Sequence, residues 1–121
     1  MLHEDFFKIS SIIKTNQSVI AKFTINDSHK IFEGHFPGRP VVPGVCMMQM
    51  LKELLEHVIE KETRLLKAYF MKFLAIINPT ENTPIQVELS YTYNEKDEII
   101  VIARLYHDTI TFLKFKGLFV A

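Results

Sequence analysis

The sequence has no excess of charge, almost no cysteine and no long apolar run. Its 121 residues include 14 basic and 14 acidic side chains, which argues against nucleic acid as a partner, because nucleic-acid binders usually carry a basic excess. One cysteine excludes an internal disulfide framework. The sequence contains no uninterrupted run of about 18 apolar residues, so no membrane span is predicted. The acids Glu4 and Asp5 stand early in the chain and no apolar run follows them, so no signal peptide is predicted. A cytoplasmic location is expected.

Internal repeats, low-complexity tracts and Gly/Ser linkers are also missing. A chain of 121 residues that is 48% hydrophobic can build one core, so a single domain over 1–121 is predicted. No pair of histidines has the spacing typical of metal ligands, so neither a metal nor another cofactor is expected. The scattered histidines are His3, His29, His57 and His107.

The apolar pattern predicts one buried helix and five strands. Residues 1–15 have apolar side chains at roughly helical spacing, which favours a short helix or turn. From Val45 to Ile59, spacings of three and four predict a helix, and its first two turns are apolar nearly all round, as in a buried helix. Strands are predicted over 18–26, 65–77, 85–93, 99–106 and 111–120, with a turn at 94–97.

Strands that follow one another through short turns favour a largely antiparallel sheet. The predicted class is therefore α+β, with one long helix wrapped by a curved sheet. An uncovered sheet edge and strands that are apolar on both faces suggest dimerisation.

The segment from Gly34 to Gly44 holds three glycines and three prolines and cannot be regular structure. It places His35 just before the N-terminus of the predicted helix. Helix N-termini offer unpaired N–H groups and partial positive charge, which suits a thioester oxygen that becomes enolate-like when a base removes the α-proton. Histidine is a natural base for that step, because its ordinary pKa lies near neutrality.

The same segment resembles the signature of the bacterial β-hydroxyacyl-acyl carrier protein dehydratases, which have the hot-dog fold. The matching residues are His35-Phe36-Pro37-Gly38, Pro40 and Pro43-Gly44-Val45. Weaker similarity extends to Lys72-Phe73-Leu74, Asn78-Pro79 and the last strand. The resemblance implies an obligate dimer and dehydration of a (3R)-hydroxyacyl thioester on acyl carrier protein to the trans-2-enoyl thioester, as in fatty acid biosynthesis.

The resemblance also implies roles for individual residues. His35 would be the base, and the backbone N–H of Gly44 or Val45 would polarise the thioester carbonyl. In this family the histidine and its acidic partner come from different subunits. The segment and the helix start would contact the acyl thioester through Phe36, Pro43, Gly44, Val45 and Met48.

One position departs from the family pattern. The family carries a carboxylate on the helix five residues after the Pro-Gly glycine, and this chain has Gln49 there. Glutamine can hold a hydroxyl or a water molecule but cannot transfer a proton. Glu53 follows one helical turn later, on the same face. The sequence therefore favours Gln49 and Glu53 as candidate site residues, with a solvated helix acid as the alternative for Glu53.

Several alternatives stay open. The chain could be an acyl-thioester-binding subunit that lends His35 to a related dehydratase chain in a heterodimer, or, less favoured, a hot-dog thioesterase. Cys46, near the helix N-terminus, could be a nucleophile or simply a buried thiol. Arg39, Lys67 and Lys72 could meet an acidic acyl carrier protein or could be ordinary surface residues.

Overall fold

The structure is a computed structural model that describes residues 6–34 and 40–121. In chain order the elements are β1 Phe7–Thr15, β2 Ser18–Ile25, α1 Ile31–Gly34, α2 Gly44–Ile59, β3 Arg64–Phe73, β4 Ile85–Tyr93, β5 Ile99–His107 and β6 Ile110–Val120. The strands form one antiparallel sheet in the order β1-β2-β4-β5-β6-β3. The predicted α+β class, with one long helix and an antiparallel sheet, is confirmed.

The core lies between α2 and one face of the sheet. Inward residues alternate along β2, β4, β5 and β6, as the period of a strand requires. Their side chains and the buried side of α2 form one hydrophobic cluster. None of the helices in the described residues is long and apolar enough to cross a membrane.

The N-terminal segment differs from its predicted secondary structure. The prediction of a short helix or turn over 1–15 is wrong for Phe7–Thr15, which form β1 and pair with β2; residues 1–5 lie outside the described part. The register shifts between Ile9 and Ser11, as a β-bulge requires. Because of the extra residue, Phe7, Ile9 and Ile12 all contact the core. The spacing of these apolar residues changes from two to three at the bulge and therefore resembles the spacing in a helix.

The third strand is shorter than predicted, and α1 was not predicted. β3 ends at Phe73 rather than at Ile77. The N–H of Leu74 still donates to the carbonyl of Phe112 in β6 at 2.8 Å, and further along the carbonyl of Ile77 accepts a hydrogen bond from the N–H of Val42 at 3.0 Å. The apolar run therefore continues past the strand because Ile77 is buried in the core.

Helix α2 agrees with its predicted bounds, and Glu60 ends it in the left-handed conformation at φ 58°. Its predicted burial on all sides is wrong for the first turns, because Val45 is 76% exposed. The buried stripe runs along one side of the whole helix and consists of Cys46, Met47, Met50, Leu51, Glu53, Leu54 and Leu55.

Strand β3 is an apolar edge. Among the described strands it pairs with β6 alone, and all ten of its residues are exposed. Its large exposed side chains are Leu65, Leu66, Tyr69, Phe70, Met71 and Phe73. The other edge strand, β1, exposes one large apolar side chain, Ile13. An exposed apolar edge is a template for pairing with another chain.

Candidate active site

The start of α2 carries hydrogen-bond donors without acceptors inside the helix. Pro43 precedes the helix in an extended conformation and gives no side-chain cap. Its carbonyl accepts from the N–H of Cys46 at 3.0 Å and of Met47 at 3.2 Å. The N–H groups of Gly44 and Val45 belong to the first turn, where the helix supplies no carbonyl partner.

Contacts with the end of β3 hold this helix start in place. A Cβ atom at residue 44 would lie 3.0 Å from two ring carbons of Phe73, Cε1 and Cζ. A larger residue at this position would push the ring away by a few tenths of an ångström, so glycine permits the close approach. The first turn of α2 is therefore packed directly against the last residue of the exposed edge strand. Phe73 was part of the family resemblance, but nothing in the sequence indicated this contact.

Gln49 and Glu53 form a bonded pair one helical turn from each other. The side-chain amide of Gln49 donates from Nε2 to Oε2 of Glu53 at 2.9 Å. Glu53 is only 3% exposed, although it is a carboxylate. Buried ionisable groups are rare and need partners. The interpretation of Glu53 as a solvated helix acid is therefore wrong, and its catalytic role stays a prediction.

A polar groove of about 580 Å³ opens beside this pair. It runs along α2 towards the start of β3, where the hydroxyl of Thr63 donates to Oε2 of Glu56 at 3.1 Å. The same carboxylate forms an ion pair with Lys52 at 3.3 Å. These contacts fix the turn between α2 and β3. The buried carboxylate of Glu53 therefore adjoins a polar channel through which water can approach.

The structure thus brings together part of the predicted site. Pro43, Gly44 and Val45 form the helix start, and half-buried Met48 follows one turn later. The predicted residues His35 and Phe36, and also Arg39, lie outside the described residues. Their roles stay predictions.

Cys46 is 3% exposed, and burial raises the pKa of its thiol above the usual range. A raised pKa leaves less thiolate at a given pH, and the thiolate is the nucleophile. The environment therefore favours a packing role over a nucleophilic one.

We expect this single thiol to resist modification in the folded protein. At pH 8, alkylation by iodoacetamide should be slower than in the urea-unfolded chain by about 10² or more, because both ionisation and access are reduced. Mass spectrometry after timed quenching measures both rates. Equal rates would show that Cys46 is accessible and would reopen the nucleophile hypothesis.

Comparison with known proteins identifies the family. The model of the ApeI-like family, described as ApeI dehydratase, matches residues 11–105. The chain belongs to the ApeI-like dehydratase family. The resemblance seen in the loop sequence is therefore confirmed, and it extends over most of the chain.

Curated relatives of this dehydratase family member are named 3-hydroxyacyl-[acyl-carrier-protein] dehydratase FabZ. The protein from Sulfurimonas denitrificans is 26% identical over 111 residues, which cover 81% of this chain and 73% of the relative. The protein from Enterococcus faecalis is 31% identical over 80 residues, which cover 60% of this chain and 57% of the relative. The protein from Rickettsia massiliae is 31% identical over 94 residues, which cover 68% of this chain and 63% of the relative. The chain thus spans little more than half the length of some relatives.

Solved structures confirm the hot-dog fold. The dehydratase heterocomplex ApeI:P from Xenorhabdus doucetiae matches with a TM-score of 0.70 at 17% identity, covering 92% of this chain and 96% of that one. A sigma28-regulated virulence protein from Campylobacter jejuni matches with a TM-score of 0.69 at 10% identity, covering 92% of this chain and 82% of that one. At such identities, the two matches establish the fold alone.

Proposed function

We propose that this chain is a dehydratase subunit that converts a (3R)-hydroxyacyl thioester, carried on an acyl carrier protein, to the trans-2-enoyl thioester in the cytoplasm. Membership of the family supports the reaction type, and the names of the curated relatives support the carrier-bound substrate. The observation that carries the proposal is the buried carboxylate of Glu53, bonded to Gln49. Loss of water requires a proton donor for the departing hydroxyl, and a buried carboxyl group can supply one.

The proposed step is elimination of water between Cα and Cβ of the acyl chain. His35 takes the proton from Cα, the electron pair of that bond forms the new double bond, and the bond between Cβ and the hydroxyl oxygen breaks. A proton from Glu53 joins the hydroxyl, which leaves as water. The N–H groups of Gly44 and Val45 stabilise the negative charge that develops on the thioester oxygen. His35 then loses its proton and Glu53 regains one through solvent.

Gln49 has a positioning role in this scheme. Its amide cannot transfer a proton but can hydrogen-bond the substrate hydroxyl or the departing water. Glu53 lies one turn, about 5.4 Å, further along the helix axis. Helical side chains tilt towards the N-terminus. This tilt brings the carboxylate of Glu53 back to the side-chain amide of Gln49, as their 2.9 Å hydrogen bond requires. Proton transfer from Glu53 then proceeds directly or through one water molecule in the adjoining groove.

We further propose that a second copy of the chain pairs along β3 and completes the site. Six large side chains on this edge are exposed, and dimerisation would cover them. The same edge ends at Phe73, against the helix start. Pairing there would bring the partner chain close to the start of α2, and in the proposed site His35 of one chain serves Glu53 of the other.

A second candidate function is supported by Gln49, which stands where the family carries a carboxylate. In this alternative the chain binds the acyl thioester but has little activity alone. It would lend His35 to a related dehydratase chain whose own helix carries the missing carboxylate. The structural relative from Xenorhabdus doucetiae is a dehydratase heterocomplex.

Enoyl-thioester formation from a 3-hydroxyacyl carrier protein, by the purified chain alone, tests the proposal. We expect turnover that disappears in His35→Ala and persists in His57→Ala, a matched control on the exposed side of α2. Turnover that arises only when a second dehydratase chain is added would support the heterodimer instead. Hydrolysis of the thioester without enoyl product would overturn both in favour of a thioesterase.

A further inference from the structure

A short helix directly precedes the proposed base. Helix α1 has four residues, Ile31–Gly34, and His35 is the next residue in the sequence. One helical turn is not stable on its own, because nucleation fixes several dihedral angles for a single hydrogen bond. The position of α1, and of the chain just before His35, therefore depends on contacts with neighbouring segments.

His29 supplies a hydrogen bond at the start of α1. The backbone N–H of Ile31 donates to Nδ1 of His29 at 3.0 Å. The first N–H groups of a helix find no acceptor within the helix, so this ring nitrogen satisfies one of them, as an N-terminal cap does. The carbonyl of His29 accepts a second hydrogen bond, from the N–H of Phe32 at 3.1 Å. His29 thus holds the first turn of α1 through both its side chain and its backbone.

The contact with Ile31 fixes the chemical state of the His29 ring. A backbone N–H can only donate, so Nδ1 accepts and carries no proton. The proton of the neutral ring is then on Nε2. An apolar side chain of similar size could fill the same space but could not hold this N–H. The hydrogen bond and the packing of His29 are therefore separable by substitution.

Aromatic packing against Phe6 holds the His29 ring in place. The two ring centroids are 5.2 Å apart and the ring planes meet at 87°, an edge-to-face arrangement that is favourable for aromatic pairs. The ring of Phe6 also lies 5.6 Å from the buried ring of Phe32 in α1, and the carbonyl of Phe6 accepts from the N–H of Asn26 at 2.8 Å. The fully buried Phe6 therefore connects the residue before β1 with both His29 and α1.

We propose that His29 is a positioning residue for the proposed base, because it fixes the first turn of the short helix that ends next to His35. This inference rests on the proposed function, in which His35 takes the proton from Cα. His29 transfers no proton in this scheme and acts through α1. A base has to lie within hydrogen-bond reach of the proton that it removes, and a displacement of about 1 Å can lower the rate about 10²-fold.

Two substitutions of His29 separate the hydrogen bond from the packing. His29→Leu keeps an apolar side chain against Phe6 but has no acceptor. His29→Asn removes the ring but keeps an acceptor for the N–H two residues later, as Oδ1 of Asn26 accepts from the N–H of Ser28 at 3.1 Å. We expect kcat for dehydration to fall about 10- to 100-fold in His29→Leu, with KM changed less than about twofold. In His29→Asn, kcat should stay within about threefold of the unaltered chain.

His107→Leu is the matched control. His107 is another half-buried histidine whose Nδ1 bonds a backbone group, the carbonyl oxygen of Pro84 at 2.9 Å, but it lies at the end of β5. This variant should keep the kcat of the unaltered chain, and thermal unfolding establishes that all three variants are folded. Full turnover in His29→Leu, or a loss in His29→Asn as large as that in His29→Leu, would overturn the proposal.

Amide hydrogen exchange separates this inference from the proposed function, because it needs no substrate. The N–H of Ile31 should exchange about tenfold faster in His29→Leu than in the unaltered chain or in His29→Asn, since local opening sets the exchange rate. Faster exchange in a chain without turnover would remove the proposed function and leave His29 as the residue that holds α1. Unchanged exchange of this N–H in His29→Leu would overturn the inference even in an active chain.

Discussion

Replacing Glu53 with glutamine should lower kcat for dehydration by about 10²–10⁴, the usual effect of losing a positioned acid or base. The substitution keeps the size of the side chain and its ability to bond Gln49, so binding of the acyl thioester should change little. The loss should therefore appear in kcat rather than in KM. Steady-state kinetics with a 3-hydroxyacyl carrier protein measure both constants.

Two companion variants make this prediction specific. Glu62→Gln, an exposed position in the turn after the helix, should keep full turnover. The exchange Gln49→Glu/Glu53→Gln puts the carboxylate where the family has it, and we expect it to recover turnover to within about tenfold of the unaltered chain. An undiminished kcat in Glu53→Gln would show that this carboxylate is not the proton donor.

Placing a charge on the apolar edge strand should break the assembly. Met71 is 37% exposed in the single chain and would be covered by a partner along β3. In Met71→Asp, burial of an unpaired carboxylate costs several kcal/mol, and about 1.4 kcal/mol corresponds to tenfold in an equilibrium constant. The dimer dissociation constant should therefore rise by about 10² or more. Sedimentation velocity over a concentration series measures it.

Ile13→Asp provides the control for this prediction. Ile13 is 63% exposed on β1, the other edge of the sheet, and the substitution should leave the assembly intact. Circular dichroism establishes that both variants are folded. Turnover should fall together with the dimer fraction in Met71→Asp, because the proposed site takes His35 from one chain and Glu53 from the other. A folded Met71→Asp that remains dimeric would place the interface elsewhere.

Much of the fold could be predicted because periodicity records which side of an element is buried. The alternation in β4 and the three-and-four spacing in α2 gave bounds that agree closely with the structure. The first strand was missed because its bulge interrupts the alternation, and a single sequence does not distinguish such a break from a helix. The length of β3 was overestimated because Ile77 is buried outside any strand.

The site was only partly predictable, for a different physical reason. Spacing placed Gln49 and Glu53 on one helix face, and the structure shows them bonded. The burial of Glu53 depends on how the whole helix packs, which local sequence does not determine. The close approach of Phe73 to Gly44 depends likewise on two segments that are distant in sequence.

The most direct test of the account is the activity of a hybrid dimer made from His35→Ala and Glu53→Gln chains. Each parent homodimer should be inactive, because every site lacks one of the two groups. In the hybrid, one of the two sites combines His35 from one chain with Glu53 from the other. We predict that purified, differently tagged hybrid dimers recover about half of the unaltered turnover, as one intact site in two requires. A hybrid as inactive as its parents would contradict a site shared between two chains.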